Sequence, residues 1–409
     1  MKLLIVTQYY PPEVGAPQNR LHELAVRLQK EGVEVHVLTA MPNYPKGKIF
    51  PDYRDKTTVI EEIDGIKVHR TSIYATRSKS IIKRLRNYFS FVWSSFRYRN
   101  QLDGDYDFIL CESPPLFLGI SAYLIAKQKR AKFIFNVSDL WPESAEKLGL
   151  VTNPLFLKMA TILEEWLYKK ADFITGQTQG IVKNIHSRFP HKEVYWLPNG
   201  VDISLFNPGE IETDFREKNG FSPDDLLFLY AGIIGHAQGL EVILKAAKRL
   251  KQYPEIKFIL LGTGPVKNDL LKIKAEENLD NVFFLDVVPK PEMPKIVKAV
   301  DVAIVPLRKL ELFKGAIPSK IFENLAMKKP VLLGVEGEAK ELFIDEGKAG
   351  WFFEPENDAM LAEKIMEIRN NKDLIRQYGE NGREYVSEKF NRNMIARDFF
   401  NQLTQILKK

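Results

Sequence analysis

The sequence has almost no cysteine and no long apolar run, and these two absences exclude several classes of protein. Its 409 residues include a single cysteine, Cys111, so an internal disulfide framework is excluded and a reducing compartment is expected. No run approaches the roughly 18 apolar residues that a membrane-spanning helix needs. The N-terminal segment MKLLIVTQYYPP lacks the longer apolar core and the cleavage site of a signal peptide. We therefore expect a protein that is neither exported nor embedded in a membrane.

Metal-binding and nucleophilic motifs are also scarce. The six histidines have no ligand spacing such as HxxxH, and neither CxxC nor a Ser, His and Asp arrangement is visible. The segments YAGIIGHAQG and LLGTGP do not match the dinucleotide fingerprint GxGxxG, which disfavours a nicotinamide enzyme. We expect no metal site and no resident cofactor.

Apolar segments with strand and helix patterns alternate through the first half of the chain. KLLIVTQ predicts a buried strand, PQNRLHELAVRLQKE predicts an amphipathic helix, and VEVHVLT predicts a second strand. The alternation returns through FILCE, AKFIFNV, DFITGQ and VYWLP. Continuous apolar strands joined by helices are typical of a parallel sheet that is covered on both faces. Residues 1–195 are therefore predicted to form one doubly wound, Rossmann-like domain.

A second set of the same kind follows the Pro, Asn and Gly of the segment WLPNGVD. The strand patterns LLFLYAG, KFILLG, VFFLD, DVAIVP, PVLLG and GWFFE predict a second doubly wound domain over residues 207–385. Residues 386–409 are predicted to form an amphipathic helix, whose apolar side needs a partner surface. The predicted fold class is α/β, with two Rossmann-like domains that face each other across a cleft.

Ligands of such sheets bind beyond the carboxyl ends of the strands, so the loops there hold the candidate residues. Gly15 lies in a loop that leads into a helix, where backbone N–H groups could meet an oxyanion; an ordinary strand-to-helix turn is the alternative. Asp139 follows AKFIFNV and could accept a proton or a hydrogen bond from a sugar hydroxyl. Its alternative role is to cap the next helix.

The second domain has glycines and one Lys–Glu pair in the corresponding loops. The glycines, which would let a ligand approach the backbone closely, are Gly232, Gly235, Gly262 and Gly264. In GAIPSKIFENLAM, residues 315–327, Lys320 and Glu323 share one face near the start of a predicted helix. The helix dipole disfavours a cation there, so a diphosphate bound by Lys320 and a ribose diol bound by Glu323 would explain the pair. A plain surface ion pair is the alternative.

Positive charge is concentrated in one segment. Seven Lys or Arg and no acidic residue lie in residues 77–102. Their apolar neighbours fall close to one helical stripe: Ile81, Ile82, Leu85, Phe89, Val92, Trp93 and Phe96. The pattern predicts an interfacial amphipathic helix that binds an anionic membrane surface or a second ligand. The residues expected to make this contact are Lys83, Arg84, Arg86, Trp93 and Arg97. Nucleic-acid binding and a core-packing helix with a solvated basic face are the alternatives.

The segments PPEVGAP, WLPNGVD, LLGTGP, VDVAIVPL and IPSKIFENLAMKKPVLLG, in this order and spacing, resemble one known family. It is the family of retaining glycosyltransferases with the two-domain GT-B fold, of the family-four or group-one type, and the resemblance covers nearly the whole chain. The first domain, with QYYPPEVGAPQNR, MPNYPKGKI and SDLWPES, looks most like the bacterial branch that builds O-antigen, capsule or exopolysaccharide, which includes N-acetyl-fucosaminyltransferases.

The resemblance implies a function and a set of partners. A sugar would pass from a nucleotide-diphosphate sugar, with a UDP-sugar favoured, to a lipid-linked saccharide, with retention of anomeric configuration and without a metal. The second domain would hold the donor, the first domain would hold the acceptor, and the C-terminal helix would return to the first domain. The protein would be cytoplasmic, would associate peripherally with the inner face of the membrane, and would bind no nucleic acid.

The resemblance also implies roles for residues by position. Asp139, Lys320 and Glu323 would be catalytic, with Glu323 at the donor ribose, and Gly15 would lie beside Asp139 at the reacting sugar. The remaining donor-binding residues would be Gly232, Gly235, Gly262, Gly264, Val287, Val288, Ala316, Ile317, Pro318 and Ser319, with Val287 and Val288 near the base.

Three positions depart from the family pattern. Gly315 stands where a glutamate is usual, and Ile233 and Gln238 stand where an Arg and a Lys usually hold the diphosphate. A departing diphosphate needs its charge balanced, so Lys320 is expected to substitute, ahead of Lys314 and Arg308. A nucleotide-sugar epimerase of the same architecture and a non-catalytic glycosyltransferase-like partner protein are the alternative functions.

Overall fold

The chain forms two compact units. The computed structural model describes residues 1–78, 80–149 and 151–408, and Lys79, Leu150, Lys409 and the side chain of Ile81 lie outside the described part. Unit 1 comprises Met1–Asn199 and Arg392–Lys409, and unit 2 comprises Gly200–Asn391. The chain passes from one unit to the other inside the segment WLPNGVD, between the predicted ranges 1–195 and 207–385.

In the described part of unit 1 there are eight strands and, before the chain leaves the unit, six α-helices. The strands are β1 (Lys2–Val6), β2 (Glu34–Ala40), β3 (Thr58–Ile63), β4 (Ile66–Thr71), β5 (Phe108–Ser113), β6 (Lys132–Val137), β7 (Phe173–Gly176) and β8 (Val194–Trp196). The helices are α1 (Ala16–Lys30), α2 (Ile81–Tyr98), α3 (Leu118–Lys129), α4 (Glu143–Lys147), α5 (Pro154–Lys170) and α6 (Gln179–Arg188).

The sheet of unit 1 has the strand order β3-β4-β2-β1-β5-β6-β7-β8. β1 lies at the switch point, where Ile5 pairs with Val37 of β2 on one side and with Leu110 of β5 on the other. All three residues are fully buried, as expected for a sheet covered on both faces. Loops that follow β1, β5 and β6 therefore meet at one edge of the sheet, which positions their side chains for a shared site.

One edge of this sheet differs from the all-parallel prediction. β3 pairs antiparallel with β4 through a tight turn in which Asp64 and Gly65 both have positive φ angles, of 49° and 79°. Asp-Gly is the preferred sequence of such two-residue hairpin turns, so the segment EIDGIK carried a signal that the alternation of helix and strand patterns obscured. The hairpin adds an edge strand and leaves the switch point unchanged.

Unit 2 contains six strands and eight α-helices. The strands are β9 (Leu226–Ala231), β10 (Ile256–Leu261), β11 (Val282–Leu285), β12 (Val302–Pro306), β13 (Val331–Gly334) and β14 (Gly350–Phe352). The helices are α7 (Phe215–Lys218), α8 (Glu241–Arg249), α9 (Lys267–Glu276), α10 (Met293–Ala299), α11 (Lys320–Ala326), α12 (Glu338–Lys340), α13 (Asp358–Asn370) and α14 (Asp373–Lys389).

The sheet of unit 2 is parallel throughout, with the order β11-β10-β9-β12-β13-β14. β9 lies at the switch point between β10 and β12. Its side chains Phe228 and Tyr230 belong to a buried core that also contains Phe258 of β10 and Ile304 of β12. The candidate residues after β9, β10 and β12 therefore come together at one edge.

The last helix, α15 (Arg392–Lys408), belongs to unit 1 and packs on α1. Its buried side is Ile395, Phe399, Leu403 and Ile406, which share a core with Leu21, Leu24 and Leu28 of α1. The predicted start at residue 386 is wrong, because residues 386–389 complete α14 and the buried Phe390 ends it. Across the described ranges, no helix has both the length and the low charge needed to cross a bilayer.

Candidate functional site

The glycines after β9 and β10 allow two neighbouring loops to touch through their backbones. Gly232 and Gly262 have φ angles of 141° and 147°, and a Cβ atom on Gly262 would lie 1.9 Å from the carbonyl oxygen of Gly232. A Cβ atom on Gly264 would likewise lie 2.2 Å from the carbonyl oxygen of Ile234. These two positions require glycine because of the neighbouring protein backbone, before any ligand is considered.

Lys320 lies directly against the end of β9. It is the first residue of α11, and its Nζ atom lies 3.8 Å from the centre of the Tyr230 ring. The same Nζ atom lies 3.0 Å from the position that a Cβ atom on Gly232 would take. The structure therefore brings Lys320 to the glycine loop although 88 residues of sequence separate them. Residues 316–319 form the half-buried segment that leads into the helix, with Ser319 at its N-cap.

The environment of Lys320 disfavours its charged form. Burial lowers the pKa of the Lys320 ammonium to about 7, and the nearby carboxylate of Glu323 raises the pKa without restoring the ordinary value. An arriving anion would reverse this balance, because it would favour the protonated amine. With seven residues, α11 adds few free backbone N–H groups and a small dipole, so the side chain of Lys320 is the main source of positive charge here.

The two weaker candidates for the diphosphate are already paired with carboxylates. Arg308 lies 3.3 Å from Glu241 and 3.3 Å from Glu356, and its Nε atom donates to the carbonyl oxygen of His236 at 2.6 Å. Lys314 lies 2.7 Å from Glu311. Either side chain would have to leave these partners in order to bind a phosphate.

The positions that depart from the family pattern are open to solvent. Ile233 is 59% exposed, and a Cβ atom on Gly315 would have no neighbour within 4 Å. The amide of Gln238 instead folds towards Gly235, whose Cβ position lies 2.9 Å from Gln238 Oε1. Larger or charged side chains at Ile233 and Gly315 would therefore fit without displacing the core.

Lys267 is a further cation at this edge that sequence reasoning missed. It begins α9 directly after LLGTGP, and its Nζ atom donates to the carbonyl oxygen of Gly262 at 3.1 Å and to Asp286 at 2.8 Å. Asp286 precedes Val287 and Val288, and Val287 is largely exposed. Its place in the first turn after a glycine loop was the signal that could have identified Lys267.

In unit 1, Asp139 follows β6 and does not cap the next helix. Pro142 occupies the N-cap position of α4, and Asp139 accepts a hydrogen bond of 2.8 Å from the Ser144 hydroxyl. Burial raises the pKa of the Asp139 carboxyl above its ordinary value, and the hydrogen bond from Ser144 lowers it in part. The carboxylate is thus suited to accept a hydrogen bond from a bound hydroxyl group.

A buried ion pair holds this edge of unit 1 together. Arg20 of α1 donates to Glu112 of β5 and to the Ser138 hydroxyl, each at 2.6 Å. Asn136 donates to the other oxygen of Glu112 and accepts from the Thr175 hydroxyl. Sequence reasoning missed this network, although an acidic residue in the apolar strand FILCES requires a buried partner. The network fixes the residue that precedes Asp139.

The loop after β1 is fixed by a second buried acid, Glu13. Its carboxylate accepts the backbone N–H groups of Tyr10, Asn43 and Tyr44, at 3.2, 2.7 and 2.8 Å. Gly15 then precedes α1 with an extended backbone, and a Cβ atom there would meet only the flexible side chain of Gln18. The structure thus places Gly15 at a helix N-terminus next to an ordered loop.

Helix α2 has a packed inner face and an apolar outer face. Asn87 is buried and bonds to Gln8 at 3.0 Å and to the carbonyl oxygen of Tyr74 at 2.7 Å. Ile82 and Trp93 are 79% and 62% exposed on the other side. Of the predicted contact residues, Lys83, Arg84, Arg86 and Arg97 are all exposed, and Arg86 also stacks on the Tyr74 ring at 4.3 Å. A core-packing helix with a solvated basic face does not account for the exposed Ile82 and Trp93.

Comparison with known proteins relates the whole chain to sugar-transferring enzymes. Residues 15–200 match the model of the glycosyl transferase 4-like domain, and residues 211–385 match the model of glycosyl transferases group 1. The chain is 26% identical to the putative colanic acid biosynthesis glycosyl transferase WcaI of Escherichia coli K12, over 98% of this chain and 100% of that protein.

Solved structures show the same fold. Sucrose-phosphate synthase from Thermosynechococcus elongatus superposes with a TM-score of 0.77 at 18% identity, and covers all of both chains. Anabaena HepE in complex with UDP-glucose superposes with a TM-score of 0.71 at 16% identity, over 100% of this chain and 99% of that one. With both units matched in sequence and fold, the chain belongs to the group 1 family of glycosyltransferases, and its fold is GT-B.

Proposed function

We propose that this glycosyltransferase moves a sugar from a nucleotide-diphosphate sugar, with UDP-sugars favoured, to a lipid-linked saccharide in the synthesis of a bacterial surface polysaccharide. The observation that carries the proposal is the buried amine of Lys320 beside the glycine loop, with a pKa of about 7. The colanic acid context of the relative WcaI and the UDP-glucose bound to HepE support the choice of pathway and donor.

Lys320 and Glu323 would bind different parts of the donor. The diphosphate would bind beside Gly232, where Lys320 becomes protonated and balances the negative charge that grows as the sugar departs. Glu323 follows one turn later in α11 and would accept hydrogen bonds from the ribose diol. Val287 and Val288, after β11, would contact the base. In this scheme the charge of the leaving group is met by the protein and needs no metal.

Transfer would retain the anomeric configuration. The acceptor hydroxyl would attack on the face from which the diphosphate leaves, and its proton would pass to the departing phosphate oxygen. Asp139, whose pKa is raised by burial, would accept a hydrogen bond from a hydroxyl group of the reacting sugar. Gly15, at the start of α1, would give the sugar or phosphate access to backbone N–H groups.

The exposed face of α2 would hold the protein peripherally on the inner face of the membrane, where a lipid-linked acceptor lies. Each cation near an anionic surface contributes on the order of 1 kcal/mol, so Lys83, Arg84 and Arg97 together would give reversible binding. Trp93 and Ile82 would enter the interface between headgroups and chains.

The test is a transfer assay with a panel of nucleotide sugars and membrane lipid extract as acceptor. We expect one UDP-sugar to raise the melting temperature most, to be consumed only when acceptor is present, and to yield a product of retained configuration by NMR. Conversion of a nucleotide sugar without acceptor would favour the epimerase. Failure to bind or consume any donor, together with tight assembly to another transferase, would favour the non-catalytic partner.

A further inference from the structure

Unit 1 contains a largely apolar cavity of about 220 Å³ beside Asp139. Aromatic rings form much of its wall: Tyr88 from α2, Phe117 from the loop after β5, Trp141 from the loop after β6, and Phe156 from α5. The ring of Phe117 lies 5.5 Å from that of Trp141 and 6.2 Å from that of Phe156. The cavity is therefore a formed hollow between two helices and two loops, within a single unit.

Exposed apolar side chains flank the cavity on both sides. On α5, Leu155, Met159 and Ile162 follow an i, i+4, i+7 stripe, and each is more than half exposed. On α2, the exposed Phe89 lies 4.8 Å from Phe117 between ring centres, which connects the outer face of α2 to the cavity wall. Several exposed apolar side chains on the two helices that line a cavity are typical of an interaction site.

The cavity also has polar groups suited to an amphiphile. Asp139 and Ser144 line it, and Arg84 supplies a cation. Arg84 is exposed, and among the residues that the structure describes it forms no ion pair with a carboxylate. An unpaired guanidinium beside an apolar hollow complements a ligand that joins a hydrocarbon chain to a phosphate group.

We propose that this cavity binds the hydrocarbon chain of the lipid-linked acceptor where the chain meets its phosphate, with Arg84 at the phosphate. The inference rests on the proposed transfer to such an acceptor. Insertion into a bilayer alone would need only the exposed stripes and no cavity. A saccharide alone would need more polar partners than Asp139 and Ser144 provide, since an apolar wall leaves hydroxyl groups unsatisfied.

The experiment measures binding of farnesyl phosphate to the full chain by calorimetry, with farnesol and inorganic phosphate as partial ligands. Ala145 lines the cavity and is buried, so Ala145→Met fills part of the space. We expect Ala145→Met to weaken farnesyl phosphate binding by at least about tenfold, because part of the chain no longer fits. Arg84→Gln should weaken farnesyl phosphate by about tenfold and leave farnesol unchanged.

Two further variants keep the result decisive. Circular dichroism shows whether Ala145→Met folds. Leu148→Gln changes a lining residue that is 41% exposed, so it should fold and should also lower the affinity for farnesyl phosphate. Leu124→Gln is the matched control, because Leu124 of α3 is 37% exposed and does not line the cavity. It should bind farnesyl phosphate as the wild type does.

Equal affinity of the wild type and both lining variants would overturn the proposal. So would equal affinity for farnesyl phosphate and inorganic phosphate, which would indicate an anion site without a site for the hydrocarbon chain. Donor binding separates this inference from the proposed function, since UDP binds unit 2 in our assignment. Farnesyl phosphate binding without any nucleotide-sugar consumption would keep the cavity and reject the transferase assignment. Consumption of a nucleotide sugar without farnesyl phosphate binding would keep the transferase assignment and reject the cavity as a lipid site.

Discussion

At the residue scale, the proposed role of Lys320 would couple nucleotide binding to the uptake of a proton. Its amine has a pKa of about 7 because burial disfavours the ammonium form. A bound diphosphate would restore the pKa towards the ordinary value of 10.5, so the complex would hold a proton that the free protein has largely lost above neutral pH. Affinity should then fall as pH rises, even though UDP itself changes little in charge over that range.

The first prediction is that the Kd of UDP rises by about tenfold between pH 7 and pH 8.5, because the free protein must first protonate Lys320. Calorimetry in buffers of different ionisation enthalpy should show uptake of a fraction of a proton that approaches one at the higher pH. Lys320→Met should bind UDP weakly with no such slope, yet should unfold at higher temperature, because it removes a buried amine. If the Kd of UDP still rises with pH in Lys320→Met, Lys320 is not the group that binds the diphosphate.

The second prediction concerns Ile233, which is exposed where a phosphate-binding Arg is usual. Ile233→Arg should raise UDP affinity several-fold, about 1 kcal/mol, by adding a cation near the diphosphate, with little change in stability. It should also reduce the loss caused by Lys320→Met in a double-mutant cycle. Ile233→Gln is the matched control without charge. Equal affinities of the Arg and Gln variants would mean that the diphosphate binds elsewhere.

The third prediction follows from a buried histidine pair in unit 1. His69 is fully buried, its Nδ1 atom lies 3.1 Å from the Tyr98 hydroxyl, and burial lowers its pKa from 6.5 to about 4. His36, whose pKa burial also lowers, lies 5.8 Å away between ring centres. Between the ordinary pKa of 6.5 and the lowered pKa of about 4, the unfolded chain therefore binds more protons than the folded chain. The free energy of unfolding falls as the pH drops through this range.

We expect the free energy of unfolding to fall by about 1–2 kcal/mol from pH 7 to pH 5 on account of His69. Urea denaturation at the two pH values measures this loss, and His69→Phe should make it smaller. His191→Asn, at an exposed histidine, is the control and should leave the loss as in the wild type. A pH dependence untouched by His69→Phe would assign the effect to other groups.

The residues of the site differ in how readily the sequence revealed them. Lys320 was predictable because a cation in a first helical turn is unfavourable without an anion, and that argument is local. The Arg20–Glu112 pair joins residues 92 apart, and no local pattern specifies which buried cation meets a buried acid. The contact between Lys320 and Tyr230 also depends on the neighbouring positions of β9 and β12, which only the sheet order defines.

At the element scale, α2 packs with one face and exposes the other, which we propose as the membrane anchor. On its inner face, Asn87 donates to the carbonyl oxygen of Tyr74, and Ser90 accepts a hydrogen bond from the Tyr74 N–H group, so both backbone polar groups of Tyr74 bond to the helix. The alternation of cations and apolar residues allowed this helix to be predicted from the sequence. The stacking of the exposed Arg86 on Tyr74 could not be predicted, because it depends on where residues 72–78 pass.

The fourth prediction is that neutralising Lys83, Arg84 and Arg97 to Gln abolishes flotation with anionic liposomes. Three lost cations correspond to about 3 kcal/mol, or roughly a hundredfold in partitioning. Arg86 stays unchanged, since its loss would also disturb packing. Wild-type binding should weaken with salt, as expected for surface charges.

A charge-matched variant provides the control for this experiment. Lys30→Gln, Lys245→Gln and Lys272→Gln remove the same charge from exposed positions on other helices. That variant should float as the wild type does. Equal loss of flotation in both variants would show that net charge, and not α2, controls association with the membrane.

At the scale of the whole molecule, the two sheets and the order of their helices were predictable, because most of the buried strands are short continuous apolar runs in the sequence. The β3–β4 hairpin and the junction of α14 with α15 were not. In both places the boundary between two elements depends on a few residues, an Asp-Gly turn in one case and the buried Phe390 in the other, and the average periodicity of a segment does not reveal them.

The fifth prediction uses a chain that ends at Asn391. Loss of α15 removes Phe399 and Leu403 from the core they share with α1, which should cost unit 1 at least about 5 kcal/mol and unfold it at low temperature. Unit 2 should still melt cooperatively in calorimetry and be stabilised by UDP. A chain ending at Leu407 is the control and should match the wild type. Simultaneous loss of both transitions would contradict independent units.

The return of α15 to unit 1 sets an order for biosynthesis. Arg392 donates to Asn199 at 3.2 Å, and Asn391 forms a bridge with Val201, so the chain enters and leaves unit 2 at adjacent points. Unit 2 is in effect an insertion in unit 1. During translation, unit 2 can fold completely before unit 1 receives its last helix, and α1 keeps an apolar side that α15 has not yet covered. A nascent chain therefore exposes that side of α1 until the last residues emerge from the ribosome.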